Sequence, residues 1–238
     1  MNLFKNQTAS SIVKIIVAIL LGLLVLFVSS MIMQIAGIQT LMQSKFWLGG
    51  FINHALMLII SLALILALSK GRISTYGFKI TEKFRFKETV IVGFIAGLII
   101  TGSALILPIN APPLVQKFSF LQSVIFGWIW ASICEEVLTR GLIQGYLSSL
   151  SQYGPSLFKL RISLPVFISA LLFGFMHLGL LMTGLDGFSV VMIASSAFLL
   201  GLVAGHYREK TESIVPAIII HMLFNISGSI TGLIKSLI

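Results

Sequence analysis

Apolar residues run through this chain in blocks of about 20, each long enough to cross the roughly 30 Å hydrocarbon layer as a helix, with polar residues collected between them. The blocks predict seven spans, over 12–36, 47–69, 88–108, 119–148, 163–183, 187–207 and 213–236. Nowhere does the pattern shorten to the roughly ten-residue alternation of a membrane β-barrel. Ala111, Pro112 and Pro113 break the chain before the fourth block, as paired prolines do. No internal repeat or low-complexity segment interrupts the series. The predicted fold is all-α: a polytopic bundle of transmembrane helices, one membrane domain over residues 1–238.

Composition strengthens this picture. Hydrophobic residues make up 57% of the chain and charged residues 10%, against roughly 25% charged in soluble domains; mean hydropathy is +1.06. A net charge of +9 would suit nucleic acid, but the basic residues sit in short loops between apolar blocks, where they act as orientation signals. No nucleic-acid partner is therefore expected; the expected surroundings are membrane lipid. With the N-terminus inside, the inner segments hold twelve basic residues: Lys5, Lys14, Lys70, Arg72, Lys79, Lys83, Arg85, Lys87, Lys159, Arg161, Arg208 and Lys210. Outside fall three, Lys45, Lys117 and Lys235, with Arg140 set aside within a span. The bias predicts a cytoplasmic N-terminus and an external C-terminus. The first block is longer than a signal-peptide core and lacks a small-x-small cleavage pattern, so it is expected to be retained as a span. The 70–88 loop interleaves Phe78, Ile80, Phe84 and Phe86 with Lys79, Lys83, Arg85 and Lys87. That pattern is weak, and a topology-setting loop is favoured over a lipid-binding one. A single cysteine, Cys134, excludes an internal disulfide.

Against this background the intramembrane polar residues stand out. Only seven acidic residues exist in 238, and two of them, Glu135 and Glu136, lie side by side with Arg140 in the fourth block. Each charge at the centre of a span costs about 2.5 to 3.5 kcal/mol on insertion scales, so such residues point to function. On an α-helix Glu136 and Arg140 share a face at i, i+4, and Glu135 points about 100° away. From the inner ends of their spans, Glu135 lies about 20 Å and His177 about 21 Å deep, with His221 and Asn225 at about 12 and 18 Å on one face of the seventh. The six residues thus share overlapping depths in the cytoplasmic half of the bilayer. Gly141, Gly145, Gly174 and Gly179 are expected to let helices approach closely around them. His54 and His206, without surrounding motifs, read as helix-to-helix hydrogen bonds. Cys134 reads as a packed small residue rather than a nucleophile.

A carboxylate and a histidine flanking one water make a general base, and a second histidine with an amide can donate hydrogen bonds to a developing oxyanion. That inventory suits hydrolysis of an amide, and Glu136 is the carboxylate better placed to absorb Arg140. Glu135-Glu136-Val137-Leu138-Thr139-Arg140 matches Glu-Glu-x-x-x-Arg, Phe173-Gly174-Phe175-Met176-His177 matches Phe-x-x-x-His, and His221-Met222-Leu223-Phe224-Asn225 matches His-x-x-x-Asn. Over residues 120–228 the chain resembles the CPBP family of intramembrane proteases, which includes type II CAAX prenyl endopeptidases and bacteriocin-processing or immunity proteins. The resemblance implies an endopeptidase acting on a membrane-associated peptide or protein, of prenylated CAAX type or of leader or bacteriocin type. It implies that Glu135 activates water with His177, that His221 and Asn225 form the oxyanion site, and that Glu136 and Arg140 support the architecture. Eight spans are described for CAAX endopeptidases where seven are counted here, which leaves the N-terminal topology open.

Two other classes compete: a non-catalytic bacteriocin-immunity or regulatory membrane protein, and a proton-coupled transporter, for which neither an inverted repeat nor paired broken helices appear. No cofactor is favoured. Glu135, His177 and His221 would supply the His₂Glu set of a catalytic zinc. The short His-Glu-x-x-His spacing is absent, however, and Asn225, one turn after His221, is a poor zinc ligand but a good oxyanion donor. A metal-independent water is the expectation, with zinc as its alternative.

Overall fold

The computed structural model describes residues 2–157 and 160–238. Seven helices among them are long and apolar enough to cross a membrane: α1 (Ala9–Met33), α2 (Trp47–Ser69), α3 (Phe86–Leu105), α4 (Phe120–Tyr146), α5 (Leu164–Thr183), α6 (Gly187–Thr211) and α7 (Val215–Leu237). The chain is an all-α, multi-pass integral membrane protein. Each helix end falls within about a turn of its predicted place. The one extended pairing among the described residues is short, Ser156–Leu157 against Leu160–Arg161. Lys159, counted among the inner basic residues, lies outside the described residues.

Local chemistry sets the ends. Pro165 and Pro216 sit in the first turns of α5 and α7, where the missing N–H has no intrahelical partner to lose. Ser119 and Gln122 form a reciprocal capping box at the start of α4. The Asp186 carboxylate caps α6 by accepting from the Ser189 backbone N–H at 2.9 Å, and it also accepts from Asn110 Nδ2 at 2.9 Å. These donors, Asn110 first, hold the Asp186 carboxyl down at about 2.

The fourth helix is the axis of the molecule. Every residue from Glu136 to Gly145 is buried, whereas other helices expose apolar side chains such as Phe27 and Ile99 outward, as lipid-facing surfaces do. Leu138, Leu142 and Ile143 pack with Val25, Met57, Ile65 and Leu172 on one side. A second cluster, Phe173, Leu200, Ala204, Ala217 and Ile220, joins α5, α6 and α7 on the other. The helix is not regular: wide i→i+5 turns over Ser123–Trp130 and Val137–Ile143 bracket the α-helical turn Ala131–Glu136 that carries both glutamates. Such widened turns collect at functional sites because they re-aim side chains.

Close approach between helices rests on small residues. A Cβ on Gly174 would stand 2.9 Å from the Ala194 carbonyl, and one on Gly201 would stand 2.8 Å from Ala170 Cα and 3.0 Å from Arg140 Nη2. Gly145 abuts Tyr76 and Gly141 packs near Ile65 and Phe78. Gly179 differs from expectation: nothing lies within 4 Å of its would-be Cβ, because the chain there has passed into the exposed 3₁₀ turns of His177–Thr183.

The 70–88 loop is strapped to the turn between α6 and α7. Lys79 and Lys83 donate to Glu212 at 2.8 and 2.6 Å, Thr81 Oγ1 donates to Thr211 O at 2.7 Å, and Ile214 N donates to Gly77 O at 3.0 Å. Hydrogen bonds from the two lysines hold the Glu212 carboxyl at about 2.

Candidate active site

The short α-helical turn of α4 brings both glutamates to α7. His221 Nδ1 lies 3.0 Å from Glu136 Oε1, and its Nε2 lies 3.6 Å from Glu135 Oε2. One imidazole therefore bridges the two carboxylates from the helix opposite. Phe173 meets the rings of both His221 and His177 edge-on, with centroids 5.3 and 5.0 Å away.

Glu136 is fully buried with Arg140, as the i, i+4 spacing predicted. Arg140 Nε stands 3.2 Å from Glu136 Oε2 with both groups 0% exposed. Neither atom is aligned for a hydrogen bond, so the pair is a charge contact rather than a directed bond. Arg140 Nη1 donates to Thr139 Oγ1, and the guanidinium carbon sits 4.9 Å over the Phe173 ring. Fixed by this frame, Glu136 and Arg140 floor the site.

His177, at the end of the α-helical part of α5, has its Nδ1 on the Phe173 carbonyl at 2.9 Å. A carbonyl only accepts, so Nδ1 carries the hydrogen and the neutral ring keeps a lone pair on Nε2. Asn225, one turn beyond His221 on α7, donates its amide hydrogens to Gly127 O and Ser132 Oγ, each at 3.1 Å. Cys134 is free and fully buried.

One contact lay outside the motifs. His54, on α2, places Nε2 3.0 Å from Glu135 Oε1 and Nδ1 2.7 Å from the Gly50 carbonyl. It is a helix-to-helix hydrogen bond, as read from the sequence, but its partner is the central carboxylate. The only sequence signal was a polar residue inside an apolar span. His206 makes no such bond: it is exposed, and among the described residues it meets the Tyr207 ring.

Glu135, His177 and His221 would be the donors of a zinc set. No group of three His, Cys, Asp or Glu among the described residues converges as metal ligands. Two apolar grooves flank the turn carrying His177, one of about 920 Å³ between α1 and the end of α5 and one of about 720 Å³ between α1, α5 and α6. Phe175 and Leu178 border both, and none of the six motif residues lines either.

Residues 117–227 match the family described as Rce1-like, type II CAAX prenyl endopeptidase Rce1-like. No curated protein and no solved structure matches the chain. The matched segment holds Glu135, Glu136, Arg140, His177, His221 and Asn225, so over these residues the chain is similar to a family of proteases, which supports its resemblance to the CPBP family.

Proposed function

We propose that the protein is an intramembrane endopeptidase that hydrolyses a peptide bond in a membrane-associated substrate with water activated by Glu135 and His177. The observation that carries this reading is a pair of carboxylates bridged by one histidine inside a protease-family domain. Glu135 removes a proton from the water as its oxygen bonds to the scissile carbonyl carbon and the carbonyl electron pair moves to oxygen. His177 Nε2, with its lone pair free, accepts the water's other hydrogen and orients it. The proton on Glu135 then passes to the amide nitrogen as the C–N bond breaks, which restores the carboxylate.

Asn225 and His221 answer the oxyanion. Asn225 reaches substrate by exchanging its bond to Ser132 Oγ, since that hydroxyl keeps its own donor bond to Trp128 O at 2.6 Å. His221 acts as a donor from Nε2 when that nitrogen carries a proton. Arg140 and Glu136 hold His221 through Nδ1. The route uses no metal; Glu135, His177 and His221, the alternative zinc set, would first have to converge from where they stand.

The basic residues of the loops support a cytoplasmic N-terminus and a site in the cytoplasmic half of the bilayer. The apolar grooves beside the His177 turn suit a lipid-bearing peptide, of prenylated CAAX type ahead of leader or bacteriocin type. Of the competing classes, the family match supports a peptidase over a transporter. Comparing membrane-peptide products in cells carrying wild type or Glu135→Gln tests the reading: peptides shortened only in wild-type cells support it, and identical peptide populations overturn it in favour of a non-catalytic immunity or regulatory role.

A further inference from the structure

The contact between His54 and Glu135 crosses from a helix outside the protease-family segment, 81 positions away in sequence. The hydrogen arrangement around it is constrained. Gly50 O accepts from His54 Nδ1 at 2.7 Å, so a neutral His54 ring has only a lone pair on Nε2. That lone pair would face the Glu135 Oε1 lone pairs at 3.0 Å, an arrangement that repels unless a proton lies between them. Glu135 and His54 therefore share one proton. In the resting site, with His221 neutral, the carboxylates of Glu135 and Glu136, the Arg140 guanidinium and this proton sum to zero, the cheapest charge for a site within hydrocarbon.

We propose that His54 is a positioning residue for Glu135. It grips Oε1, fixes the carboxyl plane, and leaves Oε2, the oxygen facing His221 at 3.6 Å, as the one that meets water. The grip is itself rigid, because the second ring nitrogen is tied to the backbone of α2 one turn back. Glu135 is otherwise loosely held: its side chain is 14% exposed, and its contact to His221 is longer than a hydrogen bond. This role rests on the reading of Glu135 as the base, and it gives α2 a part in the site that the motif helices do not supply.

The test compares wild type with His54→Leu, which removes the donor, His54→Gln, whose amide can donate in its place, and His54→Asn, which is polar but too short to reach. In a reconstituted cleavage assay, kcat of His54→Leu and His54→Asn should fall about 100-fold, the usual cost of an ångström-scale misplacement, with KM within about twofold. His54→Gln should recover to within about tenfold of wild type, well inside the range of a positioned base. Infrared difference spectra against Glu135→Gln isolate the Glu135 carboxyl bands without any turnover. These bands should shift in His54→Leu and His54→Asn and return towards wild type in His54→Gln. If all variants keep wild-type kcat, or if Gln loses as much as Leu and Asn, His54 does not position the base. If no form cleaves any peptide, the protease reading fails, and the infrared bands alone decide the grip: coincident bands in all variants overturn it.

Discussion

Replacing Arg140 by alanine removes the permanently charged partner of a fully buried glutamate, and the structure sets the size of the effect. Arg140 and Glu136 are both 0% exposed and 3.2 Å apart, so water cannot compensate Glu136 when the guanidinium goes. Removing one member of a buried pair typically costs about 3 to 5 kcal/mol. His221 Nδ1 still touches Glu136 at 3.0 Å, which places the loss towards the lower end of that range. The contact over Phe173 at 4.9 Å and the bond to Thr139 vanish too, and the space they leave adds a cavity cost of its own. At about 2 to 4 °C per kcal/mol for a chain of this size, Arg140→Ala should melt roughly 6 to 20 °C below wild type in detergent. Arg140→Lys should restore little, because a point charge on a flexible stem does not reproduce the planar stack on Phe173. Arg140→Met combined with Glu136→Gln should recover much of the loss, since no charge is then left unpaired. Thermal unfolding of the purified proteins checks the series. An Arg140→Ala variant melting within about 2 °C of wild type, or a double variant no better than the single, would refute the buried pair as a source of stability.

Gly201→Ala should destabilise by about 1 to 3 kcal/mol, the usual cost of overpacking, because its methyl would meet Ala170 at 2.8 Å and Arg140 Nη2 at 3.0 Å; Gly179→Ala, with nothing within 4 Å, should melt like wild type. The strap over the 70–88 loop should follow Glu212, whose carboxyl drops from an ordinary 4.5 to about 2. A lowered folded value means its contribution is complete above pH 4.5, declines only as pH falls towards 2, and weakens in high salt at any pH; amide hydrogen exchange of residues 73–84 checks this, and loosening between pH 7 and 5 would contradict it. Elemental analysis of active protein should find well under one zinc per chain, with turnover unaffected by prolonged chelation, whereas stoichiometric zinc whose removal and return switch turnover off and on would replace the water chemistry proposed for Glu135 and His177.

Much of the fold is legible in hydropathy because lipid imposes it: a span must be apolar and about 20 residues long whatever its neighbours are. The seven spans, the break at Pro112 and Pro113 and the caps at helix starts follow from local rules. The pairing of Glu136 with Arg140 is equally local, being one turn along one helix. Contacts between helices are less legible. Glu135 and Glu136 share an α-helical turn, where neighbours point about 100° apart, and both reach His221 because the ring offers a different nitrogen to each, a tertiary contact. His54 is hidden for a similar reason: in sequence it stands beside Asn53 in an apolar span and matches no motif, and only the packing of α2 against α4 turns it towards Glu135. Its depth in the second span could have been compared with that of the glutamates, which is the one signal available before folding. The engagement of Asn225 with Gly127 and Ser132 is likewise a tertiary fact, since neither partner lies in a motif.

The role of Glu135 is the claim on which the rest turns, and turnover by reconstituted protein tests it most directly. Wild type and Glu135→Gln would be placed in vesicles with a substrate peptide identified from the cellular comparison, and products followed by mass spectrometry alongside thermal unfolding of both proteins. Glutamine keeps the shape and the hydrogen bonding but cannot take the water's proton, so cleavage should fall by about 100-fold or more while the melting point stays close to wild type. A folded Glu135→Gln protein that retains more than about a tenth of wild-type turnover would contradict a general base at this position.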